Sequence, residues 1–176
     1  MIDVRIPYCP NYRLGEAYNR AMETVEDWVL FLDHDVFLLN PNWYNMIENA
    51  VEQINHNAGM ITCMTNRIAC KRQRVTSRKD TDDLKYHLRV AKRLWRKHGN
   101  MLVEHALRDK RGRLQFPSGF FMLTHKEAWE EVGGFTTGFI GVDNNYVLAL
   151  VEGGYGIYIM PGLYVYHGYR REWKWK

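Results

Sequence analysis

The chain has 176 residues, 46% of them hydrophobic, which suits one well-buried core and is too short for two ordinary domains. No stretch approaches the roughly 20 apolar residues that span a bilayer, and no N-terminal basic-plus-apolar export signal is visible. Cys9, Cys63 and Cys70 are odd in number and scattered, matching neither a disulfide framework nor a metal spacing, so the expectation is a soluble cytoplasmic protein with reduced, buried thiols.

The net charge is +4 and the pI near 8.9, yet the charge is unevenly spread. Lys71 to Arg113 holds 15 Lys and Arg against 5 acids, and the rest of the chain is net acidic. Two readings of that basic segment stand: a surface for an anionic partner, or a solvated insertion.

In chain order, Ile2 to Pro7 reads as a first strand, followed by a Pro10-Asn11 turn. Leu14, Ala17, Tyr18, Ala21 and Val25 recur at helical spacing. Trp28-Val29-Leu30-Phe31-Leu32 is a continuous apolar run, expected as a strand covered on both faces. Asn40-Pro41 opens a helix whose buried face is Ile47, Ala50, Val51 and Ile54. Gly59 to Thr65 is a further strand, and Asn66 to Lys79 a basic loop. Leu84, Leu88, Ala91 and Trp95 mark one face of an amphipathic helix ended by Gly99-Asn100. Gly119 to Leu123 reads as a strand, Thr124-x-x-Glu127 as a capping box, and Gly133-Gly134 as the end of the short helix it opens. A helix over 143–152 and strands at Tyr155 to Ile159 and Leu163 to Tyr166 complete the chain. Alternating strands and helices predict one α/β domain over 1–176 with a mostly parallel, Rossmann-like sheet flanked by helices.

Asp33-His34-Asp35 follows the apolar run directly. Carboxylates at the C-terminal tip of such a strand lie where open α/β sheets bind ligands. Spaced two apart, they can share a hard divalent cation, and His167 after the last strand offers an imidazole suited to a transition metal such as manganese. Asp143 heads a helix, where it can cap, act as a fixed carboxylate, or both. The tail Tyr169 to Lys176 alternates aromatic and basic groups, fitting a lid over the ligand or a peripheral membrane contact.

Leu14-Gly15-Glu16-Ala17-Tyr18-Asn19, Trp28 to Asp35, Gly133-Gly134-Phe135 to Asp143, and Tyr166-His167 resemble, in order and spacing, the landmarks of a GT-A fold glycosyltransferase, most similar to the family 2 group. The resemblance implies a metal-dependent transfer of sugar from a nucleoside-diphosphate sugar, such as a UDP-sugar, to the hydroxyl of a glycan or other acceptor, with inversion. It implies that Asp35 binds the divalent metal, Mn2+ or Mg2+, that Asp33 supports metal, ribose or sugar, and that His167 is a third metal-side ligand. Asp143 matches the general-base position, though Val142 and Asn145 stand where the family usually has acids. Pro7 and Tyr8 match the loop beside the nucleotide base, Arg13 and Asn19 the donor-facing helix and turn, and Ser118 and Gly119 the sugar and acceptor side. Arg170 and Arg171 could add bidentate phosphate contacts. A strand ending in an Asp-Asp-x-Ser-like turn, usual in the family, has no counterpart between the first strand and the Leu14 helix, so the fold is expected to be truncated.

Three other readings use the same residues. The aspartates could activate water in a phosphoester or nucleotide-sugar hydrolase. The fold could bind sugar nucleotides without turnover. Arg72, Arg74, Arg78, Arg93 and Arg96 could bind nucleic acid, a reading ranked low because the segment lacks a recognition motif.

Overall fold

The structure, a computed structural model, describes residues 1–54, 57–75 and 81–168. Its elements are β1 (Ile2–Arg5), α1 (Leu14–Glu23), β2 (Trp28–Leu32), β3 (Val36–Leu38), α2 (Trp43–Ile54), β4 (Ala58–Thr65), α3 (Leu84–His98), β5 (Val103–Glu104), β6 (Phe121–His125), α4 (Lys126–Glu131), α5 (Val142–Glu152) and β7 (Gly156–His167). Among the described residues they build one α/β domain around a seven-stranded sheet of order β1-β2-β6-β4-β7-β3, with β5 paired to β7.

The sheet is mixed, not mostly parallel. Only β1 with β2 and β4 with β7 run parallel; β2 with β6, β4 with β6, β3 with β7 and β5 with β7 are antiparallel. An apolar run reports burial on two faces, and a central antiparallel strand covered by helices has the same signature. All five side chains of β2 are buried. Trp28, Leu30 and Leu32 pack with Met46, Ile47 and Ala50 of α2, while Val29 and Phe31 pack with Tyr18 and Met22 of α1 and Tyr146 and Val147 of α5. The period-2 alternation of a strand thus supplies two cores at once.

The two expected C-terminal strands are one, β7, which passes through Pro161 and Gly162 where the register with β4 shifts between Cys63 and Met64. Such an irregularity is where a proline is tolerated within a sheet. Thr124 does not cap α4. Its hydroxyl donates to Gly59 O at 2.6 Å from within β6, and His125 caps the helix by accepting from Ala128 N. Helix α2 begins at Trp43, two residues after the expected Asn40-Pro41 start, and Asn40 accepts the Asn42 amide at 3.0 Å in the turn ahead of it.

Helix α3 buries His87, Val90 and Ala91, while Leu84 and Leu88 are 48% and 47% exposed, so its packed face is turned from the leucine stripe. The reason is polar. Buried His87 lies 2.7 Å from the Tyr164 hydroxyl and 2.8 Å from Thr81 O, which orients the helix on β7. The short strands β3 and β5 have too few residues to show a period. Residues 76–80 of the basic loop and the tail 169–176 lie outside the described residues. No helix of the described residues is long and apolar enough to cross a membrane.

Candidate active site

Asp33 and Asp35 sit in the turn between β2 and β3, where the Asp33 amide donates to Phe120 O at 3.0 Å and the Val36 amide to Asp33 O at 3.2 Å. Pairing of β3 with β7 puts Val36 opposite His167, and the Gly168 amide donates to Asp35 O at 2.9 Å. The backbone therefore delivers the imidazole to the carboxylates. His167 Nε2 lies 3.2 Å from Asp35 Oδ1 and 3.6 Å from Asp33 Oδ2. One ligand atom from each of the three residues lies within 4.8 Å of the others. Two carboxylate oxygens and an imidazole nitrogen so gathered fit a divalent cation that accepts mixed N and O ligands.

Around His167 the structure is firm. Asn66 accepts the His167 amide at 2.8 Å and donates to its carbonyl at 3.1 Å, and Phe120 stacks on the ring at 5.3 Å between centroids. Burial pushes the Asp33 carboxyl above the usual carboxylate range, with Asp35 adding to the rise and the charge of His167 opposing it. Asp35 moves the other way. Burial opposes its ionisation, but the hydrogen bond and charge of His167 and the charge of His34 outweigh it and hold the carboxyl low. Neighbouring carboxylates with opposed shifts are a pattern common at functional sites.

A cleft of about 280 Å³ opens beside these residues, lined by Asp33, His167, Ser118, Gly119, Tyr18 and Asp143 among others. Asp143 stands in the first turn of α5, after Gly141 in the left-handed conformation at φ 75°. It does not cap the helix, whose N-cap is Gly141, but bonds backbone amides while facing the cleft. Oδ1 accepts from the Asn144 amide at 2.9 Å and Oδ2 from the Gly119 amide at 3.0 Å. A Cβ at position 119 would lie 3.1 Å from Asp143 Cβ, so glycine permits this approach.

Three residues of the site carried no signal in the sequence. Gln73 is fully buried; its side chain accepts the Ser118 amide at 2.8 Å and donates to Ser118 O at 3.1 Å and to Thr62 Oγ1 at 2.9 Å. Like Asn66, it lies in the basic segment, where charge dominates the composition. Tyr18, read as a core residue of α1, also faces the cleft. Burial, and then the carboxylates of Asp33 and Asp143, push its phenol well above the ordinary value, keeping it protonated.

The remaining expected residues lie elsewhere. Asn19 is occupied by structure: its side chain donates to Phe135 O at 2.8 Å and accepts from the Phe135 amide at 2.8 Å and Trp129 Nε1 at 2.9 Å. Arg13 is exposed and pairs with Glu16 at 3.1 Å. Pro7 and Tyr8 follow β1 outside the cleft lining, with Tyr8 82% exposed. Arg170 and Arg171 lie outside the described residues.

No curated protein matches the chain. The sequence pattern described as "Glycosyltransferase like family 2" matches residues 10–175, nearly the whole chain, and so takes in the α1 landmark, both aspartates, Asp143 and His167. The chain belongs to the glycosyltransferase like family 2.

Proposed function

We propose that the protein moves a sugar from a nucleoside-diphosphate sugar, a UDP-sugar in the first instance, to an acceptor hydroxyl with inversion, using Mn2+ or Mg2+ held by Asp33, Asp35 and His167. The observation that carries this reading is the convergence of those three side chains, within 4.8 Å, beside the cleft that Asp143 also lines. Bound there, a divalent cation acts as a Lewis acid toward the charge that grows on the departing diphosphate.

The protein's own groups account for the rest. Asn66 holds the His167 backbone and Phe120 stacks on its ring, so Nε2 faces the carboxylates without reorganisation. Asp143, fixed by Gly119, takes the acceptor proton as the hydroxyl oxygen bonds to the anomeric carbon and the bond to the diphosphate breaks on the opposite face. Tyr18 remains a phenol and can donate to a sugar or phosphate oxygen between the two acidic groups. A cytoplasmic location is part of this reading, in which Cys63 and Cys70, buried as expected, and Cys9, only half-buried, stay reduced.

A thermal-shift panel of nucleoside diphosphates and their sugars, with and without Mn2+, tests the reading. A ligand that binds only the folded state must raise its stability. UDP and a UDP-sugar should raise the melting temperature only with the metal, and Asp35→Ala should erase the rise. A metal-stimulated shift retained in that variant defeats the metal assignment. Release of free sugar at the same rate with and without acceptor would make the protein a hydrolase instead.

A further inference from the structure

Helix α3 carries Arg89, Lys92, Arg93, Arg96 and Lys97 at the spacing that puts them on one face. All five are exposed, they line one shallow depression, and none meets a carboxylate among the described residues. Like charges three and four residues apart repel and weaken a helix. The helix dipole compensates Arg96 and Lys97 in the last turn. It does nothing for Arg89, Lys92 and Arg93. The helix is secured by other means, through the Asp83 cap on the Lys85 amide at 2.9 Å and through Val90 and Ala91 packed on Tyr164. A face that strains its own helix, and that the fold does not use, is fitted to something outside it.

We infer that this face docks the protein on an anionic lipid surface. Leu84, Leu88 and Lys92 follow one another at i+4, so two half-exposed leucines continue the basic stripe with apolar area. Lipid offers both an anionic headgroup plane and an apolar layer beneath it, and long Lys and Arg side chains reach the first while their stems cover the second. A single-stranded nucleic acid asks for aromatic side chains to stack on bases, and a duplex, held through its phosphates, offers no apolar layer to Leu84 and Leu88. The aromatics of α3, Tyr86 and Trp95, are instead half-buried on the packed side. Docking also has a geometric consequence. Tyr166 bonds Asp82, His87 lies against Tyr164, and Gly99 abuts Gly162, so α3 runs antiparallel to β7, whose last residue is His167. A surface bound by α3 therefore fixes the orientation of the cleft relative to lipid. This inference stands whether or not the cleft transfers sugar.

Co-sedimentation with phosphatidylcholine vesicles, with and without phosphatidylglycerol, at low and high salt, tests it. The protein should partition onto the anionic vesicles alone and release as salt screens the charges. Lys92→Glu/Arg93→Glu/Arg96→Glu should lower partitioning about 100-fold or more, and the corresponding triple Gln variant by less, the C-terminal tail being intact in both. Melting temperatures of both variants should match or slightly exceed the parent, since the side chains are exposed and the like-charge repulsion along the helix is relieved. No binding to anionic vesicles, equal binding to neutral ones, or undiminished binding by both folded variants overturns the inference. So does tight capture of duplex DNA or RNA that anionic vesicles fail to displace.

Discussion

His167 Nε2 lies 3.2 Å from Asp35 Oδ1 because the residue after Asp35 is paired, backbone to backbone, with His167 itself. The carboxyl of Asp35 is held low despite its burial, so its ionised form favours the fold. That contribution is fully present above the ordinary carboxylate value and is lost as pH falls through the lowered one. Asp35→Asn should cost roughly 1.5–3 kcal/mol at neutral pH, the scale of a hydrogen bond to a charged group. Urea melts of parent and variant without metal should show the gap closing as the pH is taken into the acid range. A gap that stays constant with pH would remove the charge from the explanation.

Asp33 has the opposite sign. Its raised carboxyl makes the ionised form unfavourable in the fold, so its favourable contribution exists only below the ordinary carboxylate value and disappears as pH rises through the raised one. Asp33→Asn should therefore stabilise the metal-free protein at neutral pH. The gain should be at most about 1 kcal/mol, since the side chain is 42% exposed and solvent screens it. The same variant should lose any shift in melting temperature on adding Mn2+. A site residue whose removal stabilises the fold is kept for chemistry.

Much of this arrangement was legible in the sequence because it rests on local signals. The run Trp28 to Leu32 is apolar at every position, and Asp33 and Asp35 stand at its end, so strand and acidic turn could be read together. Asp143 was legible as a helix-start carboxylate. What joins these residues was not. Strand β3 has three residues, too short for a period, yet its pairing with β7 is what carries Asp35 to His167. Gln73 and Asn66 act through hydrogen bonds to backbone far along the chain, which no spacing reveals. The bonds of Asn19 were hidden for a related reason: its amide occupies a fixed place on the Phe135 loop, a partner far along the chain.

Asp143→Asn tests the base. An asparagine keeps one oxygen for the Gly119 amide and gives up only the local bond from the adjacent Asn144 amide, so the cleft should retain its shape and its donor affinity. Turnover should fall by about 10²–10⁴-fold, the usual contribution of a positioned base. Donor affinity by calorimetry and kcat by product formation separate the two effects. Full turnover in the variant would assign the proton to another group.

Gln73→Leu probes the support under the acceptor side. The substitution leaves the Ser118 amide and carbonyl without their partner, at about 1–3 kcal/mol for each group left unsatisfied. Because Gly119 follows directly and holds Asp143, catalysis should suffer beyond the loss of stability. At a temperature where the variant is fully folded, kcat should drop while Mn2+ still shifts the melting curve, since Gln73 bonds Ser118 and Thr62 and none of the proposed ligands Asp33, Asp35 and His167. Loss of both together would show that Gln73 supports the whole site and not one side of it.

Gly15 sets the opposite wall. Its amide donates to Gly138 O at 3.1 Å, and a Cβ there would fall 1.8 Å from Thr136 O, a backbone atom that cannot yield without moving its loop. That loop runs to Phe139, Val142 and Asp143 on the cleft. Gly15→Ala should therefore destabilise the protein by about 1–3 kcal/mol, the range for overpacking a tight contact. It should also raise the acceptor KM through displacement of the 136–142 segment. Ala17, two residues on and so on the other side of α1, supplies the control: Ala17→Gly should lose about 1 kcal/mol of helix stability and leave KM unchanged. Equal KM values in the two variants would mean that the loop absorbs the added methyl without reshaping the cleft.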